Sequence, residues 1–175
     1  MVGNEVRLNL GARNRAIPGF LSVDCDKHEG VDIVADVSDL SQFATGSVKE
    51  ILASHVLEHF PHTKTVTVLK EWARALESGG ILYLAVPDFK RAVEIYKERG
   101  LCDWVQNWLW GDQGYATAFH YAGFDEGRLK KVALEAGFSE VSIVDDLPVH
   151  HPLDCSTLRS NVDGRRVSLN AVCVR

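Results

Sequence analysis

Apolar residues in this chain come first in short runs and later at helical spacing. Residues 6–10 (Val-Arg-Leu-Asn-Leu), 20–24, 31–36 and 48–54 are β-branched and aliphatic runs, each predicted as a strand. Two of them end on an acid, Asp24 and Asp36. Residues 63–76 then place Val66, Leu69, Trp72, Ala73 and Leu76 on one side of a helix, which Ser78-Gly79-Gly80 is expected to stop. Residues 81–86 are the most apolar run, as expected of a central parallel strand covered on both faces. A helix over 89–99 follows Pro87-Asp88, with Ala92, Val93 and Tyr96 predicted inward. A helix over 125–136 has Asp125 as N-cap, Leu129, Val132, Ala133 and Ala136 on its buried face, and Gly137 as its stop. Residues 141–144 and 168–174 read as closing strands, and their short connection calls for antiparallel pairing. Between 101 and 124 the aromatic residues Trp104, Trp108, Trp110, Tyr115, Phe119 and Tyr121, with His120, follow no clean period, so the stretch reads as an irregular insertion. The alternation predicts an α/β fold in one domain over 1–175: a mostly parallel sheet with helices on both faces and an antiparallel final strand.

The first loop carries the earliest chemical signal. Gly11 ends the first strand, Pro18-Gly19 turns the chain, and the second strand delivers Asp24 at its carboxyl end. In an open parallel sheet this is where a nucleotide-like ligand sits: glycine lets the backbone approach, and the acid accepts from ribose hydroxyls. Asp24 as a mere turn acid is the competing reading. Composition narrows the partners. The chain is 175 residues, 46% apolar and 25% charged, which is the balance of a globular protein. A formal charge of -5 disfavours a sequence-independent grip on nucleic acid. No apolar run reaches membrane-span length, and the N-terminus has no signal-peptide pattern. Cys25, Cys102, Cys155 and Cys173 form no C-x-x-C pair, so free thiols in a reducing cytoplasm are expected.

The order of motifs resembles the class I S-adenosylmethionine-dependent methyltransferases, closest to the small type 11 branch. The resemblance rests on Leu8-Asn9-Leu10-Gly11, Ile17-Pro18-Gly19-Phe20, Ser22-Val23-Asp24 and Ala35-Asp36-Val37. It continues through Ser54-His55-Val56-Leu57-Glu58-His59, Leu76-Glu77-Ser78-Gly79-Gly80-Ile81-Leu82, His120-Tyr121-Ala122-Gly123-Phe124-Asp125 and Ala136-Gly137-Phe138, and so spans nearly the whole chain. It implies a Rossmann-like fold and S-adenosylmethionine as cofactor. Gly11 would lie beside the amino-acid end of the cofactor, Asp24 at its ribose, and Asp36 with the Val37 backbone at its adenine. Ser54 and His55 would face the sulfonium and the substrate. The family's second glycine is replaced by Arg13, and its usual cysteine by Ala12. Arg13 would either pair with the cofactor's carboxylate or fill the site. The chain starts a few residues before its first strand, where the family often has a lid helix, so a more open site or one covered by a partner subunit is expected.

The implied activity is methyl transfer to a small-molecule or sugar-linked acceptor. His59 and His120 are the candidate general bases, since imidazole titrates near neutrality; a structural histidine is the alternative for each. His55 and His59, four apart, would share a helix face with His62 nearby, but no third ligand has suitable local spacing and no metal is expected. Trp104, Trp108 and Trp110 either line a substrate pocket, pack internally, or form a homodimer surface. His150-His151 and Arg165-Arg166 read as solvated loop residues. A second function class is a catalytically degenerate relative that binds a nucleoside ligand or a protein. A third, a nicotinamide-dependent oxidoreductase, is disfavoured because residues 11–16 lack the glycines a pyrophosphate needs.

Overall fold

The computed structural model describes residues 5–149 and 164–175. The first five strands, β1 (Val6–Leu10), β2 (Leu21–Asp24), β3 (Ile33–Val34), β4 (Val48–Ser54) and β5 (Leu76–Pro87), run parallel, and β6 (Glu140–Val144) and β7 (Ser168–Val174) close the sheet. The seven strands lie in the order β3-β2-β1-β4-β5-β7-β6, with β7 antiparallel to both of its neighbours. Among the described residues four α-helices accompany them: α1 (Thr65–Ala75), α2 (Phe89–Arg99), α3 (Asp103–Trp110) and α4 (Glu126–Ala136). This is the α/β architecture the patterning calls for, including the antiparallel closing pair. Among the described residues no helix is long and apolar enough to cross a membrane.

Burial explains the arrangement. Val68, Leu69 and Trp72 of α1 and Leu129, Val132 and Ala133 of α4 pack with Leu8, Leu10, Ile51, Ala53, Leu82 and Leu84 into the principal core. The opposite sheet face offers Leu52, Tyr83 and Ala85, which are covered by Leu147, Ile17 and Phe20. Asp125 caps α4 by accepting from the Arg128 amide at 2.7 Å, and Gly137 ends it in the left-handed conformation.

Several details depart from the sequence reading. The run at 31–36 is a strand only at Ile33–Val34, because Asp32 turns its carboxylate onto the Ser22 amide at 2.8 Å and Ala35 bonds the Asp24 carbonyl. Ser78-Gly79-Gly80 do not stop α1. The helix gives way at once to β5, and these residues form an irregularity in which pairing jumps from Val48–Leu76 to Glu50–Ile81. In α2 the buried stripe is Ala92 and Ile95; Tyr96, one position further round, is 52% exposed. The 101–124 stretch is not wholly irregular. Trp104 and Trp108, one helical turn apart in α3, stack at 5.2 Å, while Val105 packs under Ile95 and Val167.

Candidate active site

Strand order places the site. β1 has β2 on one side and β4 on the other, so the loops leaving β1 and β4 diverge and open a crevice at the carboxyl edge of the sheet. The loop after β1 is held from three directions. Gly11 and Ala12 donate their amides to the Val23 carbonyl, and buried Asn9 donates its Nδ2 to the Arg15 carbonyl at 2.8 Å. The Arg13 amide donates to Asp24 Oδ2 at 2.8 Å. Gly11 sits at φ +64, and a Cβ there would lie 2.5 Å from a Val56 methyl, so backbone replaces side chain for a steric reason. Asp24 is buried, with its second oxygen accepting from the Asp26 amide at 2.9 Å. Each carboxylate oxygen keeps a further lone pair for a hydroxyl donor.

A cleft of about 870 Å³ runs from this loop to the aromatic segment. Gly11, Arg13, Asp24, Asp36 and Val37 line it from the ends of β1, β2 and β3, and His55, Glu58, His59, His120, Trp104 and Trp108 line it from the segment after β4 and from 101–124. Six of the sequence candidates at the nucleotide-like end and the acceptor side therefore meet on one cleft with both candidate bases. Ser54 does not line it; it is buried at the end of β4, behind His55. The Val37 carbonyl accepts from Trp72 Nε1 at 2.8 Å, which fixes that backbone from the core. Asp36 folds onto its own loop, accepting from the Ser38 amide and hydroxyl. Arg13 takes the left-handed backbone that glycine would take, at φ +48. Its exposed guanidinium lies 4.5 Å from the Tyr115 ring centroid and donates to the Tyr115 hydroxyl, so it bridges the first loop to the segment after α3.

His55 and His59 do not share a helix face. His55 itself is left-handed (φ +55), and only Leu57–His59 forms a 3₁₀ turn. His55 Nδ1 therefore reaches Glu58 Oε1 at 3.1 Å while its Nε2 reaches Ser168 Oγ at 2.8 Å. His59 meets His120 instead, with ring centroids 4.9 Å apart. The Tyr121 and Ala122 amides both donate to the Glu58 carbonyl and hold His120 there. His59 Nδ1 donates to the Phe119 carbonyl and His120 Nδ1 to the Trp108 carbonyl, each at 3.0 Å. Because a carbonyl only accepts, each neutral ring keeps Nε2 as a lone pair. Burial pushes the His120 imidazole below its ordinary pKa and so favours that neutral form.

Glu58 escaped the sequence reading. It is fully buried. Burial pushes its carboxyl up, but the His55 hydrogen bond and the neighbouring imidazoles together outweigh that and hold it below the ordinary carboxylate range. Its position between two histidines in His55-Val56-Leu57-Glu58-His59 was the available signal. Arg165 and Arg166 are partly exposed and ion-paired: Arg165 pairs with Glu98 through both terminal nitrogens at 2.8 Å, and Arg166 with Asp146 at 2.8 Å. Cys25, Cys102 and Cys173 are free thiols. His150, His151 and Cys155 lie outside the described residues.

Residues 17–84 match the model of a methyltransferase domain, type 11. No curated protein matches the sequence. Solved structures do match its shape. An S-adenosylmethionine-dependent methyltransferase of Archaeoglobus fulgidus superposes with a TM-score of 0.63 at 11% identity, over 99% of this chain and 87% of that one. One from Thermotoga maritima gives 0.63 at 18% identity, over 97% and 81% of the two chains. A Burkholderia thailandensis 1,6-didemethyltoxoflavin-N1-methyltransferase, solved with that compound and S-adenosylhomocysteine, gives 0.58 at 13% identity, over 99% and 72%. At such identities the superpositions speak for the fold, and the family-model match speaks for residues 17–84. Residues 17–84 are thus similar to the type 11 methyltransferase domain, and the chain as a whole shares the fold of S-adenosylmethionine-dependent methyltransferases of known structure.

Proposed function

We propose that this protein binds S-adenosylmethionine at the β1–β2 end of the cleft and methylates a small-molecule or sugar-linked acceptor held at the aromatic end. The observation that carries this reading is a cleft lined both by Gly11, Asp24, Asp36 and Val37 and by His59, His120 and Trp108. The residues fit the cofactor. Gly11 leaves no side chain over the loop, and Asp24 is held in place by two amides with lone pairs to spare for two ribose hydroxyls. Asp36 and the Val37 backbone lie further along the same wall, where an adenine edge finds an acceptor and a fixed main chain. When bound, the cofactor supplies an electrophilic methyl group. The protein's own task is then alignment, which is worth far more than any single contact in an in-line transfer.

At the acceptor end Trp108 and Trp104 present a flat apolar wall, suited to a ring or sugar face. The Nε2 lone pairs of His59 and His120 orient an acceptor hydroxyl or amine and receive its proton. The degenerate-relative reading loses ground on Arg13, whose side chain goes to Tyr115 at the rim. Calorimetric titration with S-adenosylhomocysteine tests the proposal. Micromolar binding is expected, with at least a tenfold loss in Asp24→Asn, since charge-assisted hydrogen bonds contribute about 1.5–3 kcal/mol each. No binding by the unaltered protein at millimolar ligand would overturn it.

A further inference from the structure

The floor of the acceptor end holds an arrangement that methyl transfer alone does not require. Glu58, His59 and His120 each offer a ligand atom, and the three atoms all lie within 4.8 Å of one another. Glu58 Oε2 is fully buried and has no hydrogen-bond partner, although Oε1 of the same carboxylate is engaged by His55. A buried carboxylate oxygen without a donor costs about 1–3 kcal/mol or more, so a site built around one calls for an occupant. The two imidazoles do not supply a proton to it in their present tautomer. Both have spent Nδ1–H on main-chain carbonyls, Phe119 and Trp108, and keep Nε2 as a lone pair. The three clustered residues thus keep a lone pair on each Nε2 and an unpartnered carboxylate oxygen.

We infer that Glu58, His59 and His120 form a binding site for a divalent cation of the zinc type, open to the acceptor end of the cleft. Two imidazole nitrogens with one carboxylate oxygen is a donor set that suits such a cation and leaves a fourth position free. The carbonyl contacts at Nδ1 are what orients ligating histidines and fixes their tautomer. Tetrahedral bonds of about 2.1 Å put ligand atoms roughly 3.4 Å apart, so atoms already within 4.8 Å of one another approach by no more than about 1.4 Å when the site fills. That movement is small for side chains on a 3₁₀ turn and an aperiodic segment. The main-chain bonds from Tyr121 and Ala122 to Glu58 keep His120 in register as it closes. His55 and Ser168 complete the support, since His55 bridges the Glu58 carboxylate to the Ser168 hydroxyl.

Cation binding does not depend on the methyltransferase reading, but its consequence does. In the loaded site His59 and His120 act as ligands, and the cation takes over the orientation of a polar acceptor atom at the open position. The cluster of Asp24, Asp26 and His28 at the other end of the cleft is a rival cation site that the test must separate.

Chelator-treated protein is titrated calorimetrically with Zn²⁺, and with Co²⁺ while visible ligand-field bands are recorded. One equivalent of tight binding is expected, with tetrahedral-type Co²⁺ bands. His59→Gln and His120→Gln each weaken Zn²⁺ binding at least tenfold, while His28→Gln leaves it unchanged. Glu58→Gln also weakens it; should that variant melt early, the two histidine variants decide alone. Absence of saturable binding, or binding that survives both histidine variants, overturns the inference. S-adenosylhomocysteine is titrated into the same metal-free sample. Nucleoside binding without Zn²⁺ binding sinks the cation site alone, and the converse sinks the cofactor reading alone.

Discussion

Gly11→Ala tests the geometry of the first loop most sharply, because two separate costs can be read from one position. Gly11 lies at φ +64, where an L side chain costs about 1–2 kcal/mol. The new Cβ would stand 2.5 Å from Val56 Cγ2, well inside van der Waals contact, and Val56 is only 6% exposed and anchored by the bond from the His59 amide to its carbonyl. Overpacking of that kind costs about 1–3 kcal/mol. Together they remove about 2–5 kcal/mol, a large part of the ~5–15 kcal/mol by which a domain is stable. Urea unfolding followed by tryptophan fluorescence measures the loss as a shift in midpoint at constant slope. Val56→Ala removes the obstructing methyl, at its own cost of roughly 1.6 kcal/mol for two buried carbons. In the double variant the overlap disappears while the backbone strain stays, so the two changes are coupled by about 1–3 kcal/mol in the stabilising direction. A Gly11→Ala protein within about 0.5 kcal/mol of the parent, or a double variant that is additive to the same margin, would refute the reasoning.

Other outcomes follow from the same structure. Arg13→Gly relieves a left-handed residue but loses the Tyr115 contact, so its affinity for S-adenosylhomocysteine stays within about threefold; a large gain would mean that the arginine blocks the site. Asp125→Ala strips the cap from α4 and lowers stability by about 1 kcal/mol, a fall of roughly 2–4 °C in melting temperature. Cys173 is buried with its thiol pushed up to about 12, so it resists iodoacetamide at pH ~8 in the native state, whereas exposed Cys25 on the cleft wall reacts slowly and is shielded by S-adenosylhomocysteine; peptide mass spectrometry reads both. The hydrogen bond and charge of Arg74 hold Glu71 below the ordinary carboxylate range. A depressed carboxylate stabilises the fold above its unfolded pKa and loses that contribution as pH falls through the folded one, so the parent's advantage over Glu71→Gln should fade only in acid.

The β1–β2 loop region was legible because its information is local. A strand, a glycine, a tight turn and a second strand ending on an acid fix their own geometry, so Gly11 and Asp24 fall together on local signal, whereas Asp36 and Val37 followed from the family resemblance. Strands β1, β4 and β7 and helix α4 were readable for a related reason: each carries its pattern and its punctuation within its own length. Where the punctuation was ambiguous the reading failed. Ser78-Gly79-Gly80 looks like a helix stop, yet the same residues serve a strand irregularity, and only the pairing with Val48 and Glu50 tells which. Trp104 and Trp108 are one helical turn apart, but large aromatics among glycines hide a short helix whose single fully buried residue is Val105.

The way the histidines are brought together was opaque for a deeper reason. They are distant in sequence, and they are joined by main-chain bonds that no side-chain pattern announces. His120 reaches His59 because the Tyr121 and Ala122 amides both find the Glu58 carbonyl, and that carbonyl is available because His55 turns left-handed and throws the chain into a 3₁₀ turn. A glutamate flanked by histidines in an apolar run looks like a helix-surface residue until the turn buries it completely. A residue the sequence reading passed over thus becomes a fully buried carboxylate. Three histidines surround it, and each has an outward contact that settles its orientation: Ser168 for His55, Phe119 for His59 and Trp108 for His120. A protein that merely kept the fold could fill this space with leucine at less cost, since a buried polar cluster stabilises less than apolar packing of the same volume. The cluster is therefore best explained by what it binds, which is why cation titration of the histidine variants bears on function and not on stability alone.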